Sequence, residues 1–336
     1  MSLPFALRLL LWPFSLLYGA YVRVQAALYD AGWLRQERLR GKVISVGNVT
    51  VGGTGKTPMV MGLAEKFLGE GKCVAILSRG YRGSGSTSDE VELMKRRLGE
   101  RVAFGVGKDR FAEGTRIEQE RSIDIFLLDD GFQHRQLARD VDIVMLDGSR
   151  KLTNEWLLPA GSLREPIAAC RRADILVVTH KAERPELEAK DSQKYSIFYA
   201  RTRLLGFRRF GETGKLLYVS EIGPGPFFAF CGIGNPQAFC EDLEHWHVPI
   251  AGKESFRDHH KYSKADLGRL KSEASRAGAV AFVTTEKDAC NIGDAEPAGF
   301  PIYVAVIDLV LSAESEFDAA LARKLCSPES AAGATA

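Results

Sequence analysis

Short apolar runs alternate with amphipathic helical patterns along residues 31–200. Continuous apolar strands separated by helices form parallel sheets that are covered on both faces. This region therefore predicts a doubly wound, mainly parallel α/β domain. The apolar runs predict strands at residues 43–48, 73–78, 101–106, 123–130, 142–147 and 174–179, with helices near 57–70, 89–98, 109–121 and 165–172.

The pattern changes after residue 200. Residues 201–222 alternate and turn, which predicts an extended ribbon that links two domains. Residues 223–326 predict a second, smaller α/β domain, in which Asn235-Pro236 forms the cap and first position of a helix. The small and polar residues 327–336 predict a disordered tail.

The N-terminus carries a long apolar stretch, LPFALRLLLWPFSLLYGAYV, at residues 3–22. It is nearly long enough to span a bilayer, but Arg8 and Pro13 interrupt it. A signal peptide is disfavoured because the charge lies inside the apolar run. Interfacial aromatic residues and flanking arginines favour a helix over residues 1–30 that lies in a membrane surface. A helix buried against the domain is the alternative interpretation.

Composition excludes several classes of protein. The chain has 336 residues, which allows one large domain or two smaller ones. A net charge of +2 excludes a globally basic nucleic-acid binder. The six cysteines include no C-x-x-C pair, so the sequence indicates neither a zinc site nor a disulfide framework.

The stretch TVGGTGKTP, residues 50–58, lies between a predicted strand and a predicted helix, which is the context of a phosphate-binding loop. Thr50 stands where the standard G-x-x-x-x-G-K-[ST] pattern has glycine, and Val51 stands where a deviant version has lysine. This departure weakens the match but removes none of the groups that bind phosphate.

Those groups predict a site for a nucleoside triphosphate. The glycines let backbone N–H groups point at phosphate oxygens, Lys56 can reach the β- and γ-phosphates, and the Thr57 hydroxyl can ligate Mg²⁺. The predicted ATP-binding residues are Val51, Gly52, Gly53, Thr54, Gly55, Lys56, Thr57 and Pro58.

An acidic pair, Asp129-Asp130, ends the predicted strand at 123–130. Beside a phosphate loop, this is the position of a carboxylate on the metal side. The chain is therefore predicted to be a nucleoside triphosphatase or a kinase. GTP is disfavoured because Thr179-His180-Lys181-Ala182 lacks the asparagine and the aspartate of an N-K-x-D motif.

Several specific strings, in the same order along the chain, resemble the tetraacyldisaccharide 4′-kinase family of lipid A biosynthesis. They are GNVTVGGTGKTP, LSRGYRG (77–83), LDDGFQHRQLARD (128–140), LPAGSLREP (158–166), SFRDHHKYS (255–263) and TTEKDA (284–289). The resemblance implies a P-loop kinase of two α/β units, joined by a two-stranded linker, with its active site in the cleft between them. Residues 302–311 are a candidate for the second strand of that linker.

The resemblance also implies the reaction and its setting. The enzyme would transfer the γ-phosphate of ATP, with Mg²⁺, to the 4′-hydroxyl of a tetraacylated glucosamine disaccharide 1-phosphate. Its partners would be this acylated disaccharide lipid and a membrane surface, with no nucleic acid and no obligate protein partner. Its location would be the cytoplasmic face of the inner membrane of a Gram-negative-type bacterium.

Roles carry over from the family only at matching positions. Asp89 matches the proposed base and His259 the histidine that tunes it, and the predicted catalytic set is Asp89, His259, Lys56, Asp129 and Asp130. The predicted metal ligands are Thr57, Asp129 and Glu165. The residues predicted to contact substrate or phosphate are Asn48, Arg79, Tyr81, His134 and Arg164.

The assignment of Asp89 has a competing interpretation. Asp89 lacks the flanking glycine and proline of the family string, and it also fits a helix N-terminus, where acidic residues favour the dipole. Its histidine partner could be His259 or the adjacent His260. A membrane-peripheral ATPase, or a nucleotide-binding module without a lipid acceptor, stays as the alternative function.

A basic cluster lies in the predicted linker, at Arg201, Arg203, Arg208 and Arg209. These residues could meet anionic headgroups or the 1-phosphate of the substrate. A solvated face of an alternating strand is the other interpretation.

Overall fold

A computed structural model describes residues 4–80, 88–149, 152, 155–179, 195–212, 214–293 and 299–326. The predicted tail at 327–336 lies outside these residues. The chain divides into two compact units. The first unit is Met1–Ser84, Leu98–Arg201 and Val310–Ala336, and the second is Gly85–Arg97 and Thr202–Leu309. Residues 85–97 thus belong to the second unit, although they lie within the range predicted for the first domain.

The first unit is built on a parallel sheet, as the sequence predicted. Its strands run in the order β3-β2-β4-β1-β5-β6-β7. Every residue of the central strand β4 is buried, which explains why this strand is a continuous apolar run. The strands are β1 Lys42–Gly47, β2 Val74–Ser78, β3 Val102–Val106, β4 Ile125–Asp129, β5 Val141–Asp147, β6 Ile175–Thr179 and β7 Ser196–Arg209.

Helices flank this sheet. They are α1 Phe5–Asp30, α2 Lys56–Gly69, α4 Arg110–Glu120 and α8 Glu314–Leu325, while α3 Asp89–Leu98 belongs to the second unit. Lys66 of α2 forms an ion pair with Asp318 of α8 at 2.7 Å. Phe317 of α8 packs edge-on against Phe198 of β7, with 5.3 Å between ring centroids.

The helix predicted at 165–172 is wrong in type. The segment Ile167–Arg172 is a 3₁₀ helix, and a second 3₁₀ turn covers Gly99–Arg101. Pro166 disfavours the helical conformation for the residue before it, so the segment begins only at Ile167. Six residues then remain before the segment ends at Arg172.

One face of α1 packs on the first unit. Ser15 and Gly19 are buried, and the Ser15 hydroxyl donates to the Leu157 carbonyl at 2.8 Å. Tyr18 donates to the Arg164 carbonyl, also at 2.8 Å. A Cβ added to Gly19 would lie 2.7 Å from Leu157, so glycine permits this close approach.

The remaining surface of α1 is apolar and exposed. The exposed large apolar side chains are Phe5, Leu7, Leu9, Leu10, Trp12, Phe14, Leu16, Leu17, Tyr21 and Val24. Within the part of the chain that the structure describes, α1 is the one helix with the length and hydropathy to cross a membrane. Its most apolar 18-residue window is 17% buried against the protein. The exposed surface is the larger part of the helix.

The second unit has its own parallel sheet, in the order β11-β10-β8-β9. Its strands are β8 Phe227–Cys231, β9 Ile250–Ser255, β10 Ala281–Thr285 and β11 Ile302–Leu311, and its further helices are α5 Pro236–His245, α6 Lys264–Arg276 and α7 Glu286–Asn291. The predicted cap at Asn235 is confirmed, because its side chain accepts from the Ala238 amide at 3.2 Å.

The chain passes between the two units within β7 and within β11. These strands are neighbours in the strand order, and the two-stranded linker stays a prediction. Two arginines of the basic cluster form ion pairs inside the second unit. Arg203 lies 3.1 Å from Asp308, and Arg209 lies 3.8 Å from Glu212. These ion pairs favour the interpretation as an ordinary strand face.

Candidate active site

The loop at residues 48–55 connects β1 to α2. Gly52 and Gly55 have φ angles of 115° and 82°, a region that glycine adopts readily and other residues rarely do. Thr50 instead forms an antiparallel bridge with Leu163, which is extended backbone. The loop therefore needs no glycine at position 50, and this is why the standard pattern fails there without loss of the loop.

Polar contacts hold the loop from the protein side. Asn48 is fully buried, and its amide donates to the Gly52 carbonyl at 3.4 Å and to the Thr54 hydroxyl at 3.2 Å. The Gln133 amide donates to the Asn48 carbonyl at 2.9 Å, and the Val51 amide donates to the Ser162 carbonyl at 2.8 Å. Asn48 thus supports the loop, and its contact with substrate stays a prediction.

Two cations meet one carboxylate beside the loop. Lys56 Nζ lies 3.4 Å from Asp130, and Arg164 donates to both oxygens of Asp130 at 2.7 and 2.8 Å. Burial of Asp130 opposes ionisation, but the charges of Lys56 and Arg164 outweigh it and lower the pKa of this carboxyl. The contacts concentrate positive charge where the loop begins α2, as phosphate binding requires.

Oxygen atoms that suit Mg²⁺ lie around the same loop. Asp129 is buried at the end of β4 and pairs in register with Val46 of β1, the strand that leads into the loop. The Ser78 hydroxyl donates to Asp129 at 3.2 Å. Thr57 lies in the first turn of α2. A hydroxyl and a carboxylate beside a phosphate loop are hard oxygen donors of the kind that Mg²⁺ prefers.

Glu165 differs from the other predicted metal ligands. Its two oxygens accept from Arg172 at 2.7 and 2.8 Å, and one of them also accepts from Gln133 at 2.9 Å. Coordination by Glu165 would require this ion pair to open. The same contacts connect Glu165, through Gln133, to the carbonyl of Asn48. The geometry therefore favours a supporting role for Glu165 under the loop.

A third group of side chains lies at the ends of β2, β3 and β4. His134 Nδ1 lies 3.1 Å from the buried Arg110 guanidinium. Burial and the nearby arginines lower the pKa of His134 to about 4, so this imidazole is neutral near pH 7. Arg79 follows β2, and its charge acts on both His134 and Arg110. Tyr81 lies outside the described residues.

The second unit brings Asp89 and His259 together. His259 Nδ1 lies 2.9 Å from both oxygens of Asp89, the first residue of α3. His260 stacks on Phe256 at 4.5 Å between ring centroids and lies 3.4 Å from Asp266. The structure thus selects His259, and not His260, as the partner of Asp89. The helix N-terminus and the Asp–His pair are both present.

The pair is strongly polarised. Burial raises the pKa of Asp89, but the hydrogen bond from His259 and the charge of Lys287 outweigh it, so the pKa is lowered. The hydrogen bond to Asp89 raises the pKa of His259. His259 also adopts a φ of 60°, which is uncommon for a residue other than glycine. The hydrogen bond therefore holds an ionised Asp89 carboxylate in a fixed position beside His259.

Comparison with known proteins identifies the chain. The family profile described as tetraacyldisaccharide-1-P 4′-kinase, LpxK, matches residues 7–326. The chain belongs to this family. The resemblance stated from the sequence motifs is therefore confirmed.

Members of the LpxK family match nearly the whole chain. A protein of Geobacter metallireducens named tetraacyldisaccharide 4′-kinase is 36% identical, over 93% of this chain and 96% of that protein. A protein of Syntrophus aciditrophicus with the same name is 35% identical, over 94% of this chain and 92% of that protein. The crystal structure of the "apo" form of LpxK from Aquifex aeolicus in complex with ATP has a TM-score of 0.75 at 30% identity, and covers 95% of this chain and 99% of that one.

Some residues at the site of this LpxK member were not predicted from the sequence. Arg110 follows the Asp109 cap of α4, directly after β3, and is buried. Lys287 and Asn291 lie on α7, directly after β10. Because active-site groups of parallel sheets gather at the carboxyl ends of strands, their positions after predicted strands were the available signal.

Proposed function

We propose that this protein transfers the γ-phosphate of ATP to the 4′-hydroxyl of tetraacyldisaccharide 1-phosphate, a precursor of lipid A, in lipopolysaccharide biosynthesis. The observation that carries the proposal is that one chain of this kinase family bears both a phosphate loop and an ionised Asp–His pair. Phosphoryl transfer to an alcohol needs a bound triphosphate and a group that accepts the hydroxyl proton. A hydrolytic ATPase needs no such alcohol acceptor.

The first unit supplies the groups for the triphosphate. Backbone N–H groups of residues 51–57 would face the phosphates, and Lys56 would move from Asp130 to the β- and γ-phosphate oxygens. Arg164 would also face phosphate, because it already lies on the same carboxylate. His134, with Arg110 and Arg79, would contact phosphate or the sugar through neutral and cationic groups.

The second unit supplies the acceptor chemistry. A new bond would form between the 4′-oxygen and the γ-phosphorus while the bond from this phosphorus to the β–γ bridging oxygen breaks, releasing ADP. The hydroxyl proton would pass to the Asp89 carboxylate, and His259 would hold that carboxylate in place. In a loose transition state the proton leaves late, so positioning contributes more than basicity.

Thr57 and Asp129 would hold Mg²⁺, with Asp130 beside them. When bound, Mg²⁺ would supply positive charge that neutralises the charge developing during transfer. We leave Glu165 out of this set because both of its oxygens are bound by Arg172. The Ser78 hydroxyl holds the Asp129 carboxylate in position in this region.

The test of the function is transfer of labelled γ-phosphate from ATP to the acylated disaccharide 1-phosphate in detergent. We expect labelled lipid with the parent protein, and the label should lie at the 4′-oxygen. A matched acceptor that lacks only the 4′-hydroxyl should receive no label. ATP hydrolysis at the same rate with and without lipid, and no labelled lipid, would replace the proposal with the ATPase alternative.

We also propose that the exposed face of α1 lies in the cytoplasmic surface of the inner membrane. This face is apolar along the helix, whereas the Ser15–Gly19 face is occupied by protein contacts. A helix fixed along one side can bury its other side in the acyl boundary without crossing the bilayer. Such a position would bring the protein to its lipid substrate without a nucleic-acid or obligate protein partner.

The double substitution L10E/L17E should weaken binding to vesicles of phosphatidylethanolamine and phosphatidylglycerol by about 10³-fold. Leu10 and Leu17 are 70% and 69% exposed, so the changes should leave the fold intact. Each lost leucine removes about 2 kcal/mol of apolar burial. Vesicle flotation measures the effect, and V280E, at a residue 50% exposed on the second unit, is the control. Equal flotation of L10E/L17E and the parent would contradict the proposal.

A further inference from the structure

Helix α7 presents two polar side chains to Asp89. Asn291 donates to Asp89 Oδ2 at 3.2 Å, and Lys287 Nζ lies 3.9 Å from the same oxygen. These residues are four apart, so they lie on the same face of the helix. Lys287 belongs to the TTEKDA motif, and Asn291 follows this motif by two residues.

The opposite side of α7 is fixed in the core of the second unit. Asp288 is fully buried, and it accepts from the Gly232 amide at 2.7 Å and from the Tyr262 hydroxyl at 2.7 Å. It also accepts from the Thr285 hydroxyl at 2.6 Å. A helix of six residues would be unstable alone, so these contacts make it a rigid base for Lys287 and Asn291.

The Lys287 ammonium lies among several carboxylates and the His259 imidazole. Its ammonium lies 2.9 Å from Asp258, 3.1 Å from Glu90 and 3.5 Å from His259 Nε2. Asp89, Glu90 and His259 place ligand atoms within 4.8 Å of one another, an arrangement that could hold a metal ion. The Lys287 ammonium already supplies a positive charge to Asp89 and Glu90.

We propose that Lys287 and Asn291 are positioning residues for the kinase reaction, which hold the Asp89 carboxylate oriented and ionised towards the acceptor hydroxyl. This inference rests on the proposed function. Asn291 determines the orientation of the carboxylate, because its amide binds one oxygen. Lys287 compensates the charge of the cluster, because the carboxylates of Asp89, Glu90 and Asp258 would otherwise repel one another.

The direction of the pH effect follows from these groups. The charged groups around Asp89 are Glu90 on its own helix, Asp258 and His259 after β9, and Lys287 on α7. Loss of the Lys287 charge would raise the pKa of Asp89 and also that of His259, which Lys287 now lowers. The acidic limb of kcat/KM, which reports ionisation of Asp89, would then move to higher pH.

The test compares K287M, K287R and N291D in the labelled lipid assay from pH 5 to pH 9. K287M should lower kcat by about 10²-fold. It should also move the acidic limb of kcat/KM to higher pH by about one unit. K287R keeps the charge and should restore most of kcat, with the limb near that of the parent. N291D replaces asparagine with aspartate, which has nearly the same shape, and places a second carboxylate against Asp89. It should move the acidic limb of kcat/KM to still higher pH.

The control is K264M, which removes an exposed lysine from α6 of the same unit. KM for ATP should stay within about threefold of the parent value in all variants, since none of them changes a residue predicted to bind ATP. An acidic limb that stays in place in both K287M and N291D would overturn the inference, whatever the loss in kcat, because a merely structural role predicts that result. Absence of lipid labelling by the parent would instead overturn the proposed function itself.

Discussion

D89N should lower kcat for lipid phosphorylation by about 10³-fold while KM for ATP changes by less than about threefold. Asparagine has nearly the same shape as aspartate, but it cannot accept the hydroxyl proton. Asp89 contacts His259, Lys287 and Asn291 of the second unit, so nucleotide binding should persist. Labelled lipid formation measures kcat, and binding of a fluorescent ATP analogue measures nucleotide affinity.

The matched control for D89N is E92Q. Glu92 lies in the same first turn of α3, and its carboxylate faces Arg96 at 3.3 Å. E92Q should retain kcat within about twofold, since surface ion pairs contribute little. A D89N protein with kcat close to that of the parent would exclude Asp89 as the base, while the family assignment would stand.

K56M is expected to lower kcat/KM for ATP by about 10³-fold. Methionine keeps the length of the side chain but removes the charge that reaches the transferred phosphoryl group. The same change removes the ammonium that lies 3.4 Å from Asp130, so Arg164 would bind that carboxylate more tightly. Initial rates at varied ATP measure the loss, and it should appear in kcat as well as in KM.

K72M is the control for K56M. Lys72 is exposed just after α2, at the end of the helix opposite to Lys56. It should keep kcat/KM for ATP within about twofold, which shows that a loss in K56M is not an effect of net charge. A K56M protein with kcat/KM near the parent value would mean that the loop does not bind the triphosphate through Lys56.

The sequence determined the bounds of β1 to β6 to within one or two residues, whereas β7 begins at Ser196, before the ribbon predicted from residue 201. Runs such as VISVG and IFLLD are continuously apolar because both faces of a parallel sheet are covered, and this local signal needs no tertiary information. The phosphate loop was predictable for the same reason. The glycines that adopt positive φ angles at positions 52 and 55, and the lysine at position 56, lie close together in the sequence. The domain limits at residues 31, 201 and 223 stay a prediction.

Local reasoning failed where a contact partner decides the outcome. Thr50 looked like a defect of the loop until its bridge to Leu163 was known. Glu165 forms an ion pair with Arg172 in the folded chain, and its coordination of a metal stays a prediction. The segment after Pro166 carried a helical pattern, yet six residues after a proline formed only a 3₁₀ turn.

The sequence alone thus determined the strand pattern, the triphosphate loop and, through its motifs, the family. Only the tertiary structure decided which groups act on Asp89. His259 is 170 residues away from it and Asn291 is 202, and His260 was an equal candidate in the sequence. Periodicity and turn chemistry report on neighbours along the chain. Contacts at such separations depend on how the sheet orders its strands, and this order brings the ends of β8, β9 and β10 to one edge.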